Sequence, residues 1–524
     1  MGSRPSCLSL SETVVGAVVW GLQLAEHGIQ TPLRVDLSHE VLQALSGDAC
    51  HAGHVEISWE FFDELVYEFD AGTPSNAEIA TAEFSPSSGT PTWMAAGSSA
   101  SYAPGPCITC VENEWKCGGN VLEQRIGSTW GPRVTCADIY GANYFITDVP
   151  AENLTHLVFA FANVNTTTGN DIEYTWADLQ YAYPGDNTSA SGENVYGNIK
   201  QMFLLKKKHR HLKTMLSIGG WSYRENFPPM LASSTKRQNF VDTAVQFVAD
   251  LGFDGIDIDY EYVADHSQAA QMVDLLRRLR QSLDQLAEKT DATSPFQISY
   301  ASPADKDKAV MLDLTSMTPY LDFYTVMALD YMGPGFSNYS GYLSNLFPEV
   351  RNPRATDYDT NSSLDFYMFN GQVPPNKIVL ENPLYGRVFN GTNGVGDKFS
   401  NGGTQGSLGT AGLWNYNALP LPKFDAKVVN IPRVGGSYSY DAKQKYLISY
   451  DTPEIAALKA EYVQCLGLAG TAWWEVSMDR NDTLSLIGTT VSLFGGAGAL
   501  DQSLNNLNYP TSTYVNLKDG FTSN

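Results

Sequence analysis

Asp257, Asp259 and Glu261 occupy every second position of the run Asp254-Gly255-Ile256-Asp257-Ile258-Asp259-Tyr260-Glu261. Successive side chains of an extended strand point to opposite faces, so these three carboxylates share one face while Ile256, Ile258 and Tyr260 share the other. Like charges at this range do not all ionise cheaply at a poorly solvated strand end, so at least one carboxyl keeps a proton near neutral pH. A protonated carboxyl beside ionised ones is what general-acid catalysis requires, and Glu261, at the outer end, is the candidate. A solvated acidic turn or a cation site would show the same pattern. Asp254 has the opposite parity and reads as a structural hydrogen-bond acceptor.

Such a ladder must sit on a strand held by its neighbours. From about Thr135 to Phe494, short apolar runs alternate with amphipathic segments, the rhythm of a parallel sheet covered by helices. The runs are 154–161, 213–218, 255–260, 296–300, 323–327, 377–380 and 468–474, and helices are predicted over 236–250 and 268–286. These seven strands, with an eighth before Ile139, predict an α/β fold, a (β/α)8 TIM barrel whose chemistry lies at the C-terminal strand ends. A doubly wound sheet is the alternative, but no Gly-rich phosphate loop follows an early strand. The interval 388–449, rich in Gly and Tyr, is too long for a loop and predicts a small α+β insertion domain between strand seven and its helix. The expected plan is an irregular region at 1–133, a catalytic domain at 134–500 containing the insertion, and a tail at 501–524. Within the first region, 72–106 is Ser/Gly/Pro/Ala-rich and reads as linker.

The acidic run fits the D-x-x-D-x-D-x-E signature of glycoside hydrolase family 18, the chitinase family, and Ser217-Ile-Gly-Gly-Trp221 on the preceding strand resembles that family's S-x-G-G motif. The likeness continues in Met327-Ala-Leu-Asp330-Tyr331, in Pro383-Leu-Tyr385-Gly-Arg387 and in Trp473-Trp474-Glu475, and covers about 135–520. It looks closest to fungal chitinases with an insertion after strand seven. The resemblance implies retaining hydrolysis of β-1,4 N-acetylglucosamine linkages in which the substrate's acetamido oxygen is the nucleophile. Glu261 would protonate the leaving oxygen and later activate water, Asp259 would hold the acetamido N–H, and Asp257 would share a proton with Asp259. Ser217 would bond Asp257, and Trp474 would form the floor under the sugar. Tyr262, Met327, Asp330, Tyr385 and Arg387 would line the cleft, with Trp221 a stacking platform further out.

Two positions depart from the family pattern. Leu329 stands where the family carries a Tyr whose hydroxyl steadies the acetamido oxygen, and Tyr331 lies on the other strand face. Residues 133–137 replace the family's aromatic first strand before Asp138-Ile-Tyr-Gly141. Both motivate a second reading, a chitin-binding lectin-like protein with weak or no activity. A third is an endo-β-N-acetylglucosaminidase acting on N-glycans.

With 43% hydrophobic and 17% charged residues the chain is globular, and its net charge of −24 repels phosphates and anionic lipids while leaving a neutral polysaccharide unaffected. No nucleic acid or membrane partner is expected; the expected partner is chitin or its oligosaccharides, bound by a monomer. Of seven cysteines only Cys465 lies beyond residue 136, so the main domain is expected not to depend on disulfides. Cys107, Cys110 and Cys117 lack a matching ligand pair for zinc, so no metal and no cofactor is assigned. Sequons at Asn153, Asn165, Asn187, Asn338, Asn361, Asn390 and Asn481 suit an extracellular, secreted glycoprotein, although no signal peptide is evident around the short apolar run 14–22.

Overall fold

The computed structural model describes residues 144–522, apart from 168, 172–175 and 408–409, together with the backbone of three strands between 115 and 135. The expectations placed on 14–22, on the linker 72–106 and on Cys107 and Cys110 lie outside the described residues. The chain forms two compact units, one of them His54–Ile139 and the other containing Tyr140–Asn524. In the first unit β1 (Trp115–Gly118), β2 (Val121–Ile126) and β3 (Thr129–Thr135) make an antiparallel meander within the stretch expected to be irregular. Residues 129–135 therefore pair with β2, and the remainder of the expected first barrel strand lies outside the described residues.

The second unit is built on β4 (His156–Asn165), β5 (Gly169–Asp171), β6 (Lys213–Gly219), β7 (Gly255–Asp259), β8 (Gln297–Pro303), β9 (Phe323–Met327), β10 (Ile378–Pro383) and β16 (Gly470–Trp474). Their order is β16-β10-β9-β8-β7-β6-β4-β5, in which all but the antiparallel β5 run parallel. This is a curled barrel sheet, and each of the seven expected runs is one of its strands. Phe161, in the middle of β4, stacks on Trp474 at the end of β16 with ring centroids 5.5 Å apart, so the sheet curls until these two strands approach each other.

The major helices are α1 (Gly197–Lys208), α2 (Ser234–Leu251), α3 (His266–Thr290), α4 (Pro453–Leu466) and α5 (Leu486–Leu493). Local signals set their ends. Ser233, Asp265 and Thr452 cap α2, α3 and α4 by accepting from backbone N–H groups of the first turn, and Gly252 and Gly467 close α2 and α4 in the left-handed region. On α3, Met272, Leu275, Leu279, Leu283 and Leu286 recur at helical spacing and are buried with Ile256 and Ile258 of β7. Each such side chain contributes about 1.5–3 kcal/mol by leaving water. No helix among the described residues is long and apolar enough to cross a membrane.

Between β10 and α4 the chain forms a five-stranded antiparallel sheet: β11 (Tyr385–Asn390), β12 (Leu413–Asn415), β13 (Lys427–Ile431), β14 (Gly436–Asp441) and β15 (Tyr446–Ser449), ordered β12-β11-β15-β14-β13. It opens at Tyr385, immediately after β10. The segment after 500 packs under the barrel: Asn506 N donates to Asp254 Oδ1 at 2.7 Å, and Tyr509 is buried against Phe203. Asp254 also accepts from Thr214 N and from Lys206 Nζ, each at 2.8 Å, in the structural role its parity indicates. Cys465 on α4 is disulfide-bonded, so the domain expected not to depend on disulfides does carry a disulfide-bonded cysteine.

Candidate active site

β7 presents the acids because its other face belongs to the core. Ile256 and Ile258 are fully buried under the helices, which leaves Asp257, Asp259 and, just past the strand, Glu261 facing the barrel axis. The adjacent end of β6 passes very close to them. Gly219 has φ 121°, and a Cβ there would lie 2.1 Å from the carbonyl oxygen of Asp259, which also accepts from Gly220 N at 2.9 Å. Any side chain at 219 would displace the strand end that carries the acid.

The acids differ in their surroundings. Asp257 is buried, and Ser217 Oγ and Ser299 Oγ each donate to one of its oxygens at 2.6 Å. Burial raises its pKa, and these two bonds oppose the rise. Asp259 is held well above the usual carboxylate range, first by burial and then by Glu261, Asp257 and Glu381. Its Oδ1 is buried without a hydrogen-bond partner among the described residues. Glu261 is also raised, by burial first and by Asp330 after it, against the lowering effects of a hydrogen bond with Tyr262 and of Arg224. The ladder therefore retains protons at a pH where an ordinary carboxylate has lost them.

The facing wall comes from β9 and β11. Arg387 donates to both oxygens of Asp330, from Nε at 2.5 Å and from Nη2 at 2.7 Å, and Tyr385 hydrogen-bonds the same carboxylate. Such a bidentate fork fixes Asp330 in direction as well as in charge. Trp474 is 37% exposed on its stack with Phe161, and Trp221 is 60% exposed with the Arg224 guanidinium 3.8 Å from its ring centre. All the site residues named from the sequence, from Ser217 and Trp221 through Tyr262 to Trp474, line one cavity of 2010 Å³. Leu329 lines it too, whereas Tyr331 is buried with its hydroxyl 2.9 Å from Thr360 Oγ1. Among the described residues no cluster of His, Cys, Asp or Glu is arranged to hold a metal ion.

A proton-holding carboxyl ladder facing an aromatic-floored groove is the equipment of a glycosidase, and the model for glycosyl hydrolases family 18 matches residues 135–479. The chain belongs to glycosyl hydrolase family 18. Among its relatives, Chitinase 1 of Aphanocladium album is 42% identical over 73% of this chain and 88% of its own length. Endochitinase 1 of Metarhizium robertsii is 42% identical over 77% of this chain and 91% of its own. The solved chitinase ChiA74 from Bacillus thuringiensis superposes with a TM-score of 0.63 at 26% identity, covering 69% of this chain and 68% of that one.

Three contributors to the hydrolase's site escaped the sequence reading. Ser299 and Phe161 lie on β8 and β4, whose side chains reach the acids and Trp474 only through strand pairing. Glu381 was detectable in principle: it is a lone acid directly following the apolar run 377–380 of a predicted strand. It lines the same cavity and is buried.

Proposed function

We propose that this hydrolase cleaves β-1,4 linkages between N-acetylglucosamine units of chitin with retention of configuration, using the substrate's acetamido oxygen as nucleophile. The observation that carries this reading is the graded ladder: a proton-retaining Glu261 at the cavity mouth above Asp259, whose buried Oδ1 has no partner among the described residues. Relatives named chitinases, 42% identical along most of their length, support the same substrate class.

Glu261 donates its proton to the glycosidic oxygen as the C1–O bond breaks and the acetamido oxygen bonds to C1, forming an oxazolinium ion. Asp259 Oδ1 accepts the acetamido N–H, which becomes more acidic as positive charge develops on the ring. Asp257, bonded by Ser217 and Ser299, sits next to it and shares the proton load of the pair. Water then attacks C1, its proton passes to the Glu261 carboxylate, and the acetamido group is regenerated. Trp474 and Phe161 form an apolar floor, and Arg387 holds Asp330 toward the sugar.

A secreted enzyme accords with this substrate. Asn187, Asn338 and Asn481 present exposed sequons, and a disulfide at Cys465 fits an oxidising compartment.

Leu329 favours one further reading, a chitin-binding protein with little turnover. Hydrolysis of a fluorogenic chitobioside, abolished by Glu261→Gln while oligosaccharide binding persists, establishes the enzyme. Equal and negligible release by both proteins establishes the binder.

A further inference from the structure

One carboxyl in the cavity has no part in the scheme above. On β10, Leu380 and Asn382 are buried away from the axis while Val379 and Glu381 line the cavity. Register places Glu381 beside Met327 of β9 and Ala472 of β16. It thus projects from the strand paired with β9, deeper than Leu329, which lies two residues past the end of β9. Leu329 offers the cavity no polar atom. Glu381 is 8% exposed, and no hydrogen bond from the protein is among the influences on it. The groups that face it are acids or a phenol: Asp257, Asp259 and Glu261 from β7, Asp330 after β9, and Tyr385 from β11. The cation on this wall, Arg387, is committed to Asp330. Burial first, then Asp257, Glu261 and Asp330, push the Glu381 pKa up to about 8. At neutral pH the side chain is therefore a carboxylic acid, an O–H donor that faces the cavity with no hydrogen-bond partner among the described residues.

We propose that Glu381 is a further catalytic residue: its carboxylic O–H donates to the acetamido oxygen of the bound sugar, on the wall where Leu329 supplies no donor. The proposal rests on the substrate assignment above and adds a group to it. The hydrogen bond aims the acetamido oxygen at C1, and no proton leaves Glu381 during the reaction. Ionisation of Glu381 replaces the donor by a further negative charge among these acids, so productive binding declines as the pH passes about 8.

Binding measured without turnover separates this proposal from the one it rests on. In the Glu261→Gln background, calorimetry is run with chitotetraose and with its fully de-N-acetylated counterpart. Glu381→Leu is expected to weaken the acetylated ligand about 3- to 10-fold, the scale of one neutral hydrogen bond, and to leave the other ligand unchanged. Glu381→Gln, which keeps an N–H donor, is expected to hold its affinity above pH 8 where the parent loses it. In otherwise wild-type protein, Glu381→Leu is expected to lower kcat about 10²-fold, as loss of a preorganised donor does elsewhere, and Leu329→Tyr in the same chain to restore most of it. Equal affinity of parent and Glu381→Leu for chitotetraose overturns the assignment, as does a loss shared by both ligands. If the parent binds neither ligand, the chitin assignment itself falls. Should Glu381→Leu fail to fold, the Gln variant decides alone: an unchanged decline above pH 8 overturns the proposal.

Discussion

The two walls of the cavity are furnished differently. On the β6–β8 side, Asp257 is bonded at both oxygens by serines from the flanking strands, and Gly219 lets β6 close against the carbonyl of Asp259. On the β9–β10 side, Leu329 brings no polar side-chain group and Glu381 brings a buried carboxyl with no hydrogen-bond partner among the described residues. The first wall closes Asp257 in hydrogen bonds and leaves Asp259 Oδ1 without a partner among the described residues. The second ties Asp330 to Arg387 and leaves Glu381 without a hydrogen-bond partner among the described residues. On the function proposed above, the first wall carries the chemistry and the second adds to the hold on the acetamido group.

The sharpest test of this contrast is Glu261→Gln, which removes the proton donor of the first wall. We expect kcat on a chitooligosaccharide to fall about 10²- to 10⁴-fold with KM little changed, since general-acid catalysis is of that size. A loss below tenfold would move the chemistry off the ladder. Next is Ser217→Ala with Ser299→Ala, which strips Asp257 of both donors. Each bond to a charged acceptor contributes about 1.5–3 kcal/mol, so the double variant is expected to lose at least tenfold in kcat and to shift the acidic limb of the pH–rate profile upward. An unmoved limb would show that the closed wall does not tune the ladder.

The second wall makes its own prediction about stability. Glu381 titrates near 8 in the folded protein and near the ordinary carboxylate value when unfolded. Between those values the folded state holds the extra proton, so its contribution to stability is complete below about pH 4.5 and is lost as pH rises to about 8. Thermal unfolding of Glu381→Gln should therefore gain several degrees on wild type across that window and no more above it. A constant gap would place the raised pKa elsewhere. The smallest effect is expected outside both walls. Trp221→Ala should weaken long chitooligosaccharides by about 1 kcal/mol, the scale of an exposed aromatic contact, and leave chitobioside turnover intact.

Much of the fold was legible because its signals are local. The seven apolar runs were each found as barrel strands, and 236–250 and 268–286 lie within α2 and α3. The extent of the inserted sheet was less legible, since β11 to β15 are short and pair across sequence gaps. Glu381 went unread for a related reason. The run 377–380 ends one residue before it, and nothing local says that β10 continues to Pro383 with Glu381 facing inward. That Cys465 takes part in a disulfide was not legible, because a cysteine's own position does not say which other cysteine it meets in the fold.

By itself the sequence determined that Asp257, Asp259 and Glu261 share a face, because alternation along a strand is a property of neighbouring residues. It also determined that the opposite set, Ile256, Ile258 and Tyr260, would turn to the core. What only the tertiary structure decided is how those carboxyls are tuned and which of them stands alone. Ser217, Ser299, Asp330 and Glu381 come from four other parts of the chain, and their effect on a proton depends on burial and on distances that strand register alone creates.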